Sequence, residues 1–173
     1  MNNTIRTAQM NELDEIMELV AECVLVMQKG GSDQWDESYP NREILSGDIE
    51  RNALFVCLEE ERITGILVLD ENQAEQYQHI RWTDNKGPHL VMHRLAVHPG
   101  VQGKGIARKL ITFAEEYAAV HGYGSIRLDT YVKNSRALDL YSRLGYDRRG
   151  EVHFPGRTAE FPVFEKIISS MNL

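Results

Sequence analysis

The stretch from Leu90 to His121 constrains the fold most. Leu90–Val97 is a run of strand-favouring residues that Pro99-Gly100 stops. Gln102-Gly103-Lys104-Gly105-Ile106-Ala107 then leads into an amphipathic helix from about Gly105 to His121, with Ile106, Leu110, Ile111, Ala114, Tyr117 and Ala118 on or near one face and Gly122 as its C-cap. A strand that feeds a helix through glycines presents free backbone N–H groups at the positive end of the helix dipole, which is an anion site. Glycines let the backbone approach phosphate closely, although they would also serve a helix start that merely needs a tight turn. Two phosphate loops are excluded. A P-loop needs Ser or Thr after Gly-Lys, where this chain has Gly105, and a dinucleotide fingerprint needs Gly or Ala where it has Arg108.

The flanking sequence reads as a mixed α/β layer fold. Thr4–Thr7 is a short strand, followed by Leu13, Ile16, Met17, Val20, Val24 and Met27 at helical spacing, with Asn11 as N-cap and Gly30-Gly31 as the stop. Asp33–Pro40 is a polar, aromatic loop before a second helix near Arg42–Arg51. Leu54–Leu58 and Ile63–Leu69 form an antiparallel hairpin, and Asp70–Pro88 is polar and irregular. After the glycine turn and its helix come a strand at Ser125–Thr130, a helix at Ser135–Leu144 closed by Gly145, and a final strand pair at Tyr146–Phe154 and Phe161–Ile168. No repeat, linker or low-complexity tract interrupts residues 1–173, so the expectation is one domain.

With 42% hydrophobic and 26% charged residues the chain is built to bury a core. It has no leader-like segment and no run of membrane-spanning length, which makes the cytoplasm the expected location and argues against a membrane partner. Cys23 and Cys57 sit in apolar stretches as reduced core residues. The net charge of -7 argues against nucleic acid, yet no Asp or Glu falls between Asp84 and Glu115, where Lys86, Arg94, Lys104, Arg108 and Lys109 do. A basic window in an acidic chain suits a small polyanion. The histidines show no ligand spacing, so no metal is expected.

His93-Arg94-Leu95-Ala96-Val97-His98-Pro99 followed by Gln102-Gly103-Lys104-Gly105-Ile106-Ala107 resembles the central motif of the GNAT superfamily of N-acetyltransferases, whose loop runs Gln/Arg-x-x-Gly-x-Gly/Ala. A second element, Asn134, Ala137, Leu140-Tyr141 and Gly145-Tyr146, resembles Asn-x-x-Ala-x-x-x-Tyr-x-x-x-Gly-Phe, with Tyr146 replacing the usual Phe. The resemblance implies a mostly antiparallel sheet of six or seven strands, flanked by about four helices and splayed between strands 4 and 5. It implies acetyl-CoA as co-substrate, with Leu95, Ala96 and Val97 contacting the pantetheine arm through their backbone and one N–H there as oxyanion donor. The pyrophosphate would lie on the amides from Gln102 through Gly103, Lys104, Gly105, Ile106 and Ala107, with Lys104 and Arg108 adding charge and Asn134 as a further ligand or the cap of its helix.

The same resemblance makes Tyr141 the general acid for the departing thiolate, the alternative being an ordinary core residue of its helix. His93, which alternates with Val91, Leu95 and Val97, is the candidate base; arylalkylamine acetyltransferases carry a catalytic His there, with a second His where this chain has Val91. Trp35, Asp36 and Tyr39 are candidates for the acceptor, a small-molecule or peptide primary amine, or else belong to a surface loop pinned by one aromatic. The alternative function is an idle acyl-CoA sensor. Sheet edges and the C-terminal strands are compatible with a homodimer.

Overall fold

The computed structural model describes residues 3–169, so the outermost residues of the expected 1–173 domain lie outside it. Among the described residues the chain folds as β1 (Thr4–Thr7), α1 (Leu13–Lys29), α2 (Arg42–Glu50), β2 (Leu54–Glu59), β3 (Arg62–Asp70), β4 (His89–Val97), α3 (Ile106–Val120), β5 (Ser125–Asp129), α4 (Ser135–Arg143), β6 (Asp147–Val152) and β7 (Phe161–Ile167). The strands form a seven-stranded sheet in the order β1-β2-β3-β4-β5-β7-β6. β1 with β2, β2 with β3, β5 with β7 and β6 with β7 are antiparallel, whereas β4 and β5 are parallel. That parallel register runs from His89 opposite Ser125 to Val91 opposite Arg127, and both strands continue past it.

The residues cluster into two compact units, the first running through Leu69 and including His93–Phe113, the second comprising Asp70–Met92 and the chain from Ala114 onward. In the first unit α1 lays Leu13, Ile16, Leu19, Val20, Cys23 and Val24 into a core with Leu45, Ile49, Leu54, Val56, Ile66 and Val68. β3 is buried without alternation from Ile63 to Leu69, the pattern of a strand covered on both faces. Each such aliphatic side chain contributes about 1.5–3 kcal/mol on burial. Gly65 marks a close approach: a Cβ there would stand 2.9 Å from Leu110 Cδ1 and 3.1 Å from both Ile106 Cγ2 and the Ala96 carbonyl oxygen.

Asn11 does not cap α1. It lies inside a 3-10 turn at Met10–Glu12, and Glu12 closes the turn by accepting the Gln9 N–H at 2.8 Å and both terminal nitrogens of Arg6 at 2.9 Å. A carboxylate bonded to a guanidinium outcompetes a neutral amide as acceptor, and Arg6 holds the Glu12 carboxyl below its ordinary pKa.

In the second unit Tyr77, Trp82, Val91, Tyr131, Val152, Phe161 and Val163 form one core cluster. The segment read from sequence as polar and irregular is pinned down here. Glu165 on β7 accepts the N–H groups of Thr83 and Asp84 at 2.8 and 3.0 Å. Arg127 on β5 donates to the Asp84 carbonyl and to Gln73, both at 2.7 Å, with its guanidinium 4.2 Å above the Trp82 ring.

Candidate active site

Each compact unit carries one set of the expected site residues. In the first, β4 runs on through Arg94, whose φ of +50° is left-handed. The alternation expected to put His93 on one face with Leu95 and Val97 therefore does not carry across Arg94, because side-chain period two holds only for extended backbone. His93, Leu95 and Val97 are all half-buried and Ala96 is buried.

Beyond β4 the chain is tied back onto the strand. The Val97 carbonyl accepts from Cys23 Sγ at 3.4 Å and from Gln102 Nε2 at 3.3 Å. Burial pushes the Cys23 thiol up to about 11, so it stays protonated and able to donate. His98 Nδ1 accepts the Gly100 N–H at 3.0 Å, shaping the 3-10 turn Pro99–Val101. Gly103 and Gly105 have φ of +85° and +81°, and a Cβ at either would meet nothing within 4 Å. The glycines answer a backbone demand, and the space above the loop is open. α3 begins at Ile106, with no acidic residue in its first turn. Its leading amides have no partner within the helix and point along the positive end of the dipole. Ile106 is buried, so it has only its backbone to offer a ligand; Lys104 and Arg108 are exposed beside it. This is a fit for a diphosphate.

Sequence reasoning missed the role of the Arg94 side chain. Its Nε donates to Asp48 Oδ2 at 2.8 Å and its Nη2 to Asp48 Oδ1 at 2.7 Å, while Nη1 donates to the Tyr39 hydroxyl at 3.1 Å. Asp48, on α2, is fully buried and also accepts from Arg51 at 2.7 Å. The signal available was an Asp beside Leu45 and Ile49 on the buried side of the second helix and an Arg inside a strand 46 residues later, a pairing that no spacing rule exposes.

Of the acceptor candidates, Trp35 is 5% exposed and packs into the first unit's core, so its indole pins the loop from inside and is covered where a substrate contact was expected. Asp36 Oδ1 accepts from the N–H and hydroxyl of Ser38 at 2.8 and 2.6 Å and from the Tyr39 N–H at 3.1 Å, a side-chain closure of the turn. Tyr39 is half-buried with its hydroxyl on Arg94.

In the second unit α4 starts at Asn134, whose Oδ1 accepts the Ala137 N–H at 3.2 Å, the cap its position led us to expect. Gly145, at φ +87°, ends the helix, and the Tyr146 N–H returns to the Tyr141 carbonyl at 3.0 Å. Tyr141 is 5% exposed, its ring edge-on to Tyr146 at 5.6 Å and tilted against Phe164 at 5.9 Å. Burial, with the Asp129 carboxylate adding to it, raises the Tyr141 phenol above its ordinary pKa. Asp129 ends β5 and accepts from the buried Tyr77 hydroxyl at 2.6 Å, a second pairing that the sequence did not suggest. Among the described residues no three His, Cys, Asp or Glu side chains gather as metal ligands, and no helix is long and apolar enough to cross a membrane.

The pattern of the acetyltransferase (GNAT) family matches residues 13–146. An uncharacterized N-acetyltransferase of Bacillus subtilis, YesJ, is 25% identical over 162 residues, covering 92% of this chain and 87% of its own length. A GNAT-family acetyltransferase structure from Streptococcus agalactiae superimposes with a TM-score of 0.86 at 29% identity, over 97% of this chain and 96% of that one. The PaiA N-acetyltransferase of Thermoplasma acidophilum, solved in complex with coenzyme A, shares the fold with a TM-score of 0.72 at 19% identity, over 96% and 99% of the two chains. A glycine turn at the start of α3, an Asn-capped α4 carrying Tyr141, and a seven-stranded mixed sheet with a parallel β4–β5 pair thus agree with the family match, and the chain belongs to the acetyltransferase (GNAT) family.

Proposed function

We propose that this chain is an N-acetyltransferase that moves an acetyl group from acetyl-CoA to a primary amine of a small molecule or peptide by direct attack in a ternary complex. The observation that carries the reading is the turn from Gln102 to Ala107, where two left-handed glycines open onto free space at the start of a 15-residue helix in a chain of this family. The diphosphate of acetyl-CoA is held there by backbone N–H groups, with Lys104 and Arg108 adding charge. Leu95, Ala96 and Val97 contact the pantetheine arm through their backbone, one N–H stabilising the oxyanion.

The amine nitrogen attacks the thioester carbon, the C–S bond breaks, and the thiolate takes the phenolic proton of Tyr141. A buried phenol is fully protonated at neutral pH. Desolvation, which makes it a weaker acid, also raises the proton affinity of a thiolate held out of water beside it. His93 takes the proton that the ammonium must lose, while Asp36 and Tyr39 contribute to acceptor recognition on a loop that Trp35 anchors.

The test is free-thiol release from acetyl-CoA across polyamines, arylalkylamines, amino acids, aminoglycosides and lysine peptides. Amine-dependent release is expected, and Tyr141→Phe should lower kcat on the order of 10²- to 10³-fold while acetyl-CoA binding changes little. Saturable acetyl-CoA binding without release for any amine would replace the enzyme with an acyl-CoA sensor.

A further inference from the structure

We infer that Arg94 is a positioning residue for acyl transfer: clamped by the buried Asp48, it holds the left-handed turn in β4 immediately before Leu95–Val97 and links that backbone to the loop residue Tyr39. The inference rests on the proposed acetyl transfer and deepens it.

A left-handed residue is rare inside a strand, and Arg has none of the local hydrogen-bonding that lets Asn or Asp adopt that conformation. Such strain persists only where the surroundings over-determine it. The surroundings here are a two-point clamp. Both Asp48 oxygens bind one guanidinium, at 2.7 and 2.8 Å, and the planar fork fixes orientation as well as distance. Asp48 is fully buried on α2, and α2 is itself capped by Asn41, whose side chain accepts the Ile44 N–H at 2.9 Å. The clamp therefore starts from a fixed element.

What it fixes is functional backbone. The three residues after Arg94 are those assigned to the pantetheine arm, and the far end of the same stretch is held at the Val97 carbonyl by Cys23 and Gln102. Leu95–Val97 is thus gripped at both ends, with its N-terminal grip supplied by Arg94. The third bond, from Arg94 Nη1 to the Tyr39 hydroxyl at 3.1 Å, ties in a loop whose own turn Asp36 closes. One guanidinium sets both the donor-side strand and an acceptor-side aromatic. A misplacement of reacting groups by about an ångström costs on the order of 100-fold in rate, so a clamp of this kind acts on kcat before it acts on affinity.

Three variants test this: Arg94→Lys, which keeps the charge and loses the fork; Asp48→Asn, which keeps the shape and loses the charge; and Tyr39→Phe, which removes one hydroxyl and leaves the buried pair intact. Each is measured for acetyl-CoA affinity by calorimetry, for thermal midpoint, and for kcat and amine KM with the most active amine of the panel. Arg94→Lys and Asp48→Asn should lose kcat by about 10- to 100-fold, with acetyl-CoA affinity falling by a smaller factor. Tyr39→Phe should raise amine KM severalfold with acetyl-CoA affinity near wild type. Folded Arg94→Lys and Tyr39→Phe proteins with lowered midpoints but wild-type kcat and KM would overturn the inference and leave the clamp a stabilising contact. A wild-type protein that neither binds acetyl-CoA nor releases thiol would instead remove the reading beneath it.

Discussion

Replacing Gly65 with alanine should destabilise the protein and weaken acetyl-CoA binding together, because the methyl group collides with the base of α3. The new Cβ would lie 2.9 Å from Leu110 Cδ1 and 3.1 Å from Ile106 Cγ2, where carbon–carbon contacts settle near 3.5–4.0 Å. Its third neighbour, at 3.1 Å, is the Ala96 carbonyl oxygen, which is backbone and cannot rotate away. Leu110 and Ile106 are buried in the first turns of α3, and Ile106 is stiff at χ1. Relief comes from Leu110 leaving its rotamer and from α3 and β3 moving apart by a few tenths of an ångström, and overpacking of this kind costs about 1–3 kcal/mol. Reduced unfolded-state entropy on Gly→Ala offsets about 0.4–1 kcal/mol, leaving a net loss centred on about 1 kcal/mol. At about 2–4 °C per kcal/mol for a chain of this size, Tm should fall by about 2–4 °C. Urea unfolding with an unchanged m-value gives the stability, and calorimetry gives the acetyl-CoA Kd, which should weaken because the displaced turn carries the helix N-terminus. Gly122→Ala is the control: φ there is +78° with nothing within 4 Å of a Cβ, so it should cost about 1–2 kcal/mol and leave the Kd unchanged. A Gly65→Ala protein as stable as wild type would refute the packing argument.

His93→Ala should remove one ionisation from the pH profile of kcat/KM; an unchanged profile would assign the base to another group. Asn134→Ala should cost about 1 kcal/mol through loss of the α4 cap, and urea midpoints equal to wild type would show that the Ala137 N–H finds another acceptor. Burial, then the hydrogen bond to Glu71, pushes the Tyr123 phenol up to about 12. The folded state thus favours the protonated phenol, so this stabilisation is whole below the unfolded pKa near 10 and is lost as pH rises towards 12. Tyr123→Phe should flatten the fall of stability above pH 10, and parallel curves for the two proteins would contradict the assignment.

The elements were legible where a local period or a glycine decides them. α2 begins after its Asn41 cap, α3 spans Ile106–Val120 within the range expected from Ile106, Leu110 and Ala114, and β7 ends one residue short of Ile168. Asn134 and Gly145 bracket α4 as expected, because a cap acceptor and a left-handed stop act within four residues of the backbone they satisfy. Less was legible wherever a partner lies far along the chain. Asn11 does not cap the first helix; Arg6 and Glu12 instead close the 3-10 turn that precedes it, and that ion pair joins positions no helix period relates.

The order of strands and helices, the glycine turn and the family motif were readable in the chain because each is written in neighbours a few residues apart. Three-dimensional packing was needed to make Trp35 core, to put a left-handed residue at Arg94 in β4, and to bring Asp48 and Asp129 onto Arg94 and Tyr77. Those outcomes come from burial, from an ion pair between residues 46 positions apart and from a hydrogen bond between residues 52 positions apart, and a chain read in order has no period that records them.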